Sequence, residues 1–181
     1  MTDIVCVNLP KFEPNAIPSA LAILKGIANS HNLKTKIIDF NLDWVDACYK
    51  NSIDWRLSLS GIHYIYGPKD EFKQFINGII KDWADRIIDI NPKIFAISIF
   101  SYFGQYFAKE LSKLVKEKLP NTYIVIGGSG ISSALHEKAL FGEYMVKHRL
   151  VNEFITGTAE SSWLKVLNQQ FNLNLLSLIH I

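Results

Sequence analysis

The chain has 181 residues, 49% of them apolar, and its 19 basic and 17 acidic side chains leave a net charge of +2. That length and apolar content fit one folded domain with one good core and exclude a disordered chain. The near-neutral balance gives no electrostatic case for nucleic acid or an anionic membrane surface.

Two cysteines, Cys6 and Cys48, form no CxxC pair, no zinc pattern and no disulfide framework. Both read as reduced thiols, with Cys6 in the core. No apolar run approaches the roughly 20 residues of a membrane span. Met1-Thr2-Asp3 leads straight into a strand, with no signal peptide, so a cytoplasmic location is expected.

In chain order, Ile4–Asn8 is a short apolar strand. Residues 9–18 form a polar loop stiffened by Pro10, Pro14 and Pro18. Ser19 either caps the next helix or sits with Pro18 in its first turn. That helix runs to about Ser30 and is apolar at Leu21, Ile23, Leu24 and Ile27. His31-Asn32 ends it, Asn being suited to the left-handed C-terminal position. Residues 35–40 make a second strand. Residues 44–67 carry Trp44, Trp55, Tyr64 and Tyr66, punctuated by Gly61 and Gly67, and fit no regular unit. They read as short helices over one edge of a sheet, and long connections of this kind are often functional. Residues 70–90 form a long amphipathic helix, with Phe72, Phe75, Ile76, Ile79, Ile80, Trp83 and Ile87 at helical spacing. Asn91-Pro92 ends it.

Residues 94–99 are nearly all apolar, with Ser98 at the end, as in strands buried on both faces of a parallel sheet. Phe103, Phe107, Leu111, Leu114 and Val115 recur at helical spacing until Pro120. Residues 123–126 form the next strand, and Gly127-Gly128-Ser129-Gly130 follows at once. A short helix or two over 131–144, a strand at 152–155, the loop Thr156-Gly157-Thr158-Ala159-Glu160 and a helix over 161–170 complete the pattern. The alternation predicts an α/β fold: a doubly wound, Rossmann-like or flavodoxin-like five-stranded parallel sheet in the order 2-1-3-4-5. Residues 176–181, Leu-Ser-Leu-Ile-His-Ile, look like the translation of a transposon-end sequencing adapter. The domain is therefore expected over 1–175, with 176–181 a non-native tail and the natural protein continuing further.

The loops after strands 1, 3, 4 and 5 (residues 8–18, 98–105, 127–133 and 156–160) share one edge of such a sheet. Their glycines let a ligand approach the backbone, their N–H groups attract anions, and their serines and threonines offer hydroxyls without bulk. Gly127-Gly128 alone is equally a tight turn; four such loops together point to a ligand site. A Walker A loop and a Gly-x-Gly-x-x-Gly fingerprint are both absent, which disfavours a classical dinucleotide site. Asp39 and Asp43 follow the second strand, where a carboxylate binds a ribose hydroxyl or caps the next segment. His31, His63, His136 and His148 are scattered, with no pair at ligand spacing. No Ser/His/Asp or Cys/His set marks a nucleophile, so no catalytic residue and no metal ligand is assigned.

Val5-x-Val7-Asn8-Leu9-Pro10, Ile17-Pro18-Ser19-x-Leu21-x-x-Leu24 and Ile38-Asp39-Phe40-Asn41 occur in that order. Ala96-Ile97-Ser98-Ile99-Phe100-Ser101, Val125-Ile126-Gly127-Gly128 and Ile155-Thr156-Gly157-Thr158-Ala159-Glu160 follow. Over residues 3–170 this series resembles the N-terminal cobalamin-binding domain of B12-dependent radical SAM enzymes. In the wider B12-binding fold, the serine after strand 3 and the Gly-Gly after strand 4 line a slot for the nucleotide tail of cobalamin, and a small-residue loop after strand 5 closes it. The resemblance implies a cofactor site of Asn8, Pro10, Pro18, Ser98, Phe100, Ser101, Gly127, Gly128, Ser129, Thr156, Gly157, Thr158 and Glu160. Glu160 matches the acidic residue that often ends the final loop in the radical SAM branch.

Two features depart from the family's best-known patterns. The Asp-x-His-x-x-Gly motif is missing, since residues 9–14 read Leu-Pro-Lys-Phe-Glu-Pro, so no cobalt ligand is predicted. The Cys-x-x-x-Cys-x-x-Cys signature is missing too, and two distant cysteines cannot hold a three-cysteine iron–sulfur cluster. The resemblance therefore implies a non-catalytic cobalamin-binding fragment of a methyltransferase or related enzyme. Its partners would be cobalamin and a downstream radical SAM domain that holds the iron–sulfur cluster and S-adenosylmethionine. Two other readings stand beside it. One is a complete nucleotide- or nucleotide-sugar-binding Rossmann-like enzyme; the other is a degenerate partner-binding domain that displays the aromatic segment 44–66.

Overall fold

The computed structural model describes residues 2–10, 19–132 and 140–173. Strands β1 (Ile4–Asn8), β2 (Thr35–Asp39), β3 (Ile94–Ser98), β4 (Tyr123–Gly127) and β5 (Glu153–Ile155) form one parallel sheet in the order β2-β1-β3-β4-β5. Between them run helices α1 (Ser19–Ser30), α2 (Phe40–Lys50), α3 (Asp70–Ile90), α4 (Gly104–Lys118), α5 (Phe141–Lys147) and α6 (Glu160–Phe171). This is the doubly wound α/β fold and strand order that the alternation predicts.

The sheet is apolar on both faces because each strand side packs under helices. Successive side chains of a strand alternate between faces. Val5, Val7, Phe95, Ile97, Ile124 and Ile126 join Trp44, Trp83, Phe107 and Phe141 from the α2–α5 layer. Ile4, Cys6, Ile94, Ala96, Val125 and Ile155 join Leu21, Ala28, Trp163, Val166 and Leu167 from α1 and α6. The α2–α5 side is aromatic. Phe40 stacks on Trp83 at 4.5 Å between centroids, and Trp44 meets Phe107 edge-on at 5.2 Å. Cys6 and Cys48 are buried in different cores on opposite faces of the sheet, so they cannot pair.

Helix ends follow local chemistry. Asn32 (φ 60°), Asn91 (φ 50°) and Asn172 (φ 53°) adopt the left-handed conformation that terminates α1, α3 and α6. Ser19 is the first residue inside α1. The second strand stops one residue earlier than expected. Asp39 turns its carboxylate onto the N–H groups of Asn41 (3.0 Å) and Leu42 (3.3 Å), and Phe40 opens α2. That cap answers the choice between capping and ribose binding for Asp39. Asp43 forms an ion pair with Arg86 of α3.

The aromatic segment needs a larger correction. Residues 44–50 belong to a full helix, and Trp44, Cys48, Leu59, Ile62 and Tyr64 are buried in the core of one face rather than covering an edge. Lys109 Nζ holds the following turns by donating to the Tyr64 carbonyl at 2.9 Å. In the region expected to hold a short helix or two, the chain makes a 3-10 turn at Ser129–Ile131 and then α5, which runs to Lys147. Residues 11–18, His136 and the 176–181 tail lie outside the described residues. Among the described residues, no helix is long and apolar enough to cross a membrane.

Candidate functional site

Parallel registry lines up the C-terminal ends of the strands. Asn8 pairs in register with Asp39 on one side and Ser98 on the other; Ser98 pairs with Gly127, and Gly127 with Ile155. Alternation places Ser98 on the same face as Ala96, and Gly127 on the same face as Val125, beneath α1 and α6. Three small residues, Ala96, Ser98 and Gly127, therefore sit where bulky side chains fill the rest of that core. The result is a slot of about 70 Å³ at the strand ends. Ala20, Leu21 and Leu24 of α1 wall one side, Trp163 of α6 and Ile155 wall the other, and Ser98, Gly127 and Gly128 close the end. Trp163 Nε1 donates to the Leu24 carbonyl at 3.0 Å, which ties the two walls together.

The two adjacent glycines do different work. At Gly128 the backbone has φ 103°, and an added Cβ would lie 2.4 Å from the Ile99 carbonyl oxygen, so the fold itself demands glycine. At Gly127 an added Cβ would meet nothing nearer than 3.5 Å. Packing does not require glycine there; its missing side chain leaves the slot open. The turn above is laced tight. Ile99 N donates to Gly127 O at 2.8 Å, Gly130 N to Ile99 O at 2.8 Å, and Gln105 Nε2 to Gly130 O at 2.7 Å. Ser129 Oγ donates to the Phe100 carbonyl.

The expected site residues divide accordingly. Ser98, Gly127 and Gly128 line the slot. Asn8 is buried one strand away, beside Ser98. Phe100, with 54% of its surface exposed, Ser101 and Ser129 lie on the loops above. Thr156, Gly157, Thr158 and Glu160 are exposed beyond β5, where Glu160 opens α6 and complements its N-terminal dipole. Pro10 is buried away from the slot, its carbonyl packed so close to Gly104 that a Cβ there would lie 2.6 Å from it. Pro18 is outside the described residues. Leu21, Leu24 and Ala96 stand in the motifs but were not assigned to the site, and Ala20 and Trp163 are slot residues that the motifs did not name. The period-2 link from Ser98 back to Ala96 and the apolar positions Leu21 and Leu24 were the available signals; Trp163 had none.

A wider depression of about 560 Å³ lies at the opposite edge of the sheet, among Asn91, Lys93, Lys118, Pro120 and Asn121. It is a broad surface hollow at the strand N-termini. The slot is the narrower and more closed of the two. Nearby Cys6 offers no nucleophile, because burial pushes its thiol up to about 12. Other candidates are accounted for locally: His63 stacks on Tyr64 and Tyr66 and accepts from Ile65 N at 3.1 Å, and His148 packs on Tyr144. Among the described residues, no group of three or more His, Cys, Asp or Glu is placed to hold a metal ion.

No protein-family model matches the chain. No curated protein matches it either. Among solved structures it is similar to the radical S-adenosylmethionine methyltransferase TsrM from Kitasatospora setae. One structure of that enzyme has tryptophan substrate and the SAM analogue aza-SAM bound, and matches with a TM-score of 0.54 at 13% identity over 92% of this chain and 25% of that one. Another, with cobalamin and a 4Fe-4S cluster bound, matches with a TM-score of 0.53 at 13% identity over 94% of this chain and 26% of that one. At such identity the likeness is one of fold, and the chain spans about a quarter of the length of these neighbours.

Proposed function

We propose that the chain is a cobalamin-binding module of a B12-dependent radical SAM enzyme, a methyltransferase or a related catalyst, whose iron–sulfur cluster and S-adenosylmethionine belong to a downstream domain. The observation that carries the reading is the slot, held open by a glycine that packing does not require. Its residues suit a flat aromatic base. Leu21, Leu24, Val125, Ile155 and Trp163 supply apolar walls, and Ala96, Ser98 and Gly127 leave room at the strand ends. Ligands of doubly wound sheets sit at this edge. The nucleotide tail would lie between the sheet and α1/α6, with the corrin ring over the loops that bear Phe100, Ser129 and Thr156. Bound cobalamin supplies a cobalt centre able to carry a methyl group; the residues here bind and orient it.

Titrating the chain with hydroxocobalamin, removing free ligand and recording the visible spectrum tests this. The expected result is a retained corrin with a base-off spectrum, because a tail buried in the slot cannot reach cobalt. A folded chain that retains no corrin would refute the reading, and thermal stabilisation by a nucleotide instead would favour a nucleotide-using Rossmann-like enzyme.

A further inference from the structure

Lysines from separate parts of the chain converge at one edge of the sheet. Lys25 of α1, Lys34 just before β2 and Lys36 within β2 line a surface hollow of about 560 Å³ together with Asn29, Thr35 and Ile37. Among the described residues the ion pairs are Lys50–Asp46, Arg86–Asp43 and Lys109–Glu110, so none of these lysines has a carboxylate partner. Asp3 reaches the same turn, but its carboxylate accepts from the Lys34 N–H at 2.8 Å. In a chain of net charge +2 this is a local excess of positive charge.

The hollow opens onto an unfinished strand. β2 ends the sheet and pairs with β1 on one side only. Ile4 N donates to Lys34 O at 3.2 Å, so Lys34 and Lys36 turn their backbone polar groups toward β1. Thr35 and Ile37, one residue out of phase, turn theirs to the open edge. Side chains alternate across the strand as well: Ile37 packs on the α1 side, where Lys25 stands, and Lys36 shares the α2 side with Ile38. The edge therefore offers main-chain donors and acceptors with a cation on each face. Edge lysines guard a sheet against strand addition. Against a second copy of β2 the guard holds, because lysine would meet lysine; against an acidic strand the same charges attract.

We infer that the β2 edge receives an extended, acidic segment of a partner protein, which adds to the sheet as a further strand. Thr35 and Ile37 exchange main-chain hydrogen bonds with it, and Lys25, Lys34 and Lys36 pair with its carboxylates. The surface lies toward the opposite end of α1 from the slot, and the inference does not depend on the cobalamin reading.

The test titrates the 181-residue chain with a labelled peptide of about eight residues that mixes Glu and Val so that both faces carry carboxylates. Binding is read by fluorescence anisotropy, and the contact by amide hydrogen exchange. The wild type is expected to bind the peptide, with slower exchange at the Thr35 and Ile37 amides. The combined variant Lys25→Gln, Lys34→Gln, Lys36→Gln should bind about 10-fold more weakly and melt at the same temperature. The same peptide N-methylated at alternate residues keeps its charge, loses main-chain donors and should not bind. Equal binding of the N-methylated peptide, or binding without protection at Thr35 and Ile37, overturns the inference, and both readouts stand even if the lysine variant fails to fold. An oligonucleotide bound as tightly as the peptide also overturns it and assigns the lysines to polyanions in general. No binding of the acidic peptide at millimolar concentration overturns it and leaves the lysines as guards of a free edge.

Discussion

Gly127 and Gly128 are chemically identical and adjacent, yet the backbone gives them opposite reasons to exist. Gly128→Ala places a Cβ against the Ile99 carbonyl at a left-handed φ and should cost about 2 kcal/mol, read as a lower urea midpoint at unchanged slope. Gly127→Ala meets only ordinary contacts and should shift stability by less than about 1 kcal/mol, while weakening cobalamin retention by crowding the slot. A large loss of stability in Gly127→Ala would mean that packing alone keeps the glycine. The sequence pointed to both residues as a pair and could not separate them, because the difference lies in what stands opposite each Cβ. Asn8 shows the same limit. Its place after an apolar strand was legible; its buried Nδ2, without a hydrogen-bond partner among the described residues, is a property of neighbours distant in sequence.

At the scale of elements, the strands, α3 and the end of α1 were legible because periodicity and Asn caps are local signals. The start of α2 was not. Phe40 continues the apolar pattern of β2, and only the Asp39 carboxylate, folding back onto Asn41 and Leu42, turns the chain into a helix one residue earlier. Asp39→Ala should therefore destabilise the protein by about 1 kcal/mol in chemical denaturation and leave corrin retention unchanged. Loss of retention without loss of stability would return Asp39 to a ligand-binding role. The aromatic segment misled for a related reason. Trp44, Trp55, Tyr64 and Tyr66 have no clean period, so an edge cover and a buried layer look alike until Trp44 is found between Phe75 and Phe107. The slot walls come from α1 and α6, some 140 residues apart in sequence; the Trp163–Leu24 hydrogen bond spans 139 residues. Removing that donor in Trp163→Phe should cost about 1 kcal/mol, measured by thermal unfolding of the unliganded protein. An unchanged midpoint would show that the bond does not hold the walls.

For the whole molecule, burial predicts a pH response. The Cys6 thiol is pushed from 9.0 to about 12 by desolvation, and the Tyr123 hydroxyl from 10.0 to about 12 by desolvation and its hydrogen bond to Glu153. Both groups hold their protons more tightly folded than unfolded, so their contribution is complete below the unfolded values and is lost as pH rises through the folded ones. The melting temperature should be insensitive to these groups below pH 9 and fall between about 9 and 12, more shallowly in Cys6→Ala. An equal fall in the variant would rule out Cys6 as a cause. Strand order was legible from alternation alone, since crossover handedness and sheet twist leave few topologies. Ser98, Gly127 and Gly128 were legible as the strand-end residues of a slot; its volume was not, because that is set by side chains from three strands and two helices.

The central claim is that the slot beneath α1 and α6 receives cobalamin, and the most direct measurement is co-elution. The wild-type chain and Gly127→Val, each confirmed folded by circular dichroism, are incubated with hydroxocobalamin and passed through a desalting column. Corrin absorbance travelling with the wild type and absent from Gly127→Val is the predicted result. Equal retention by both would place the ligand elsewhere, and no retention by either would contradict the proposed function.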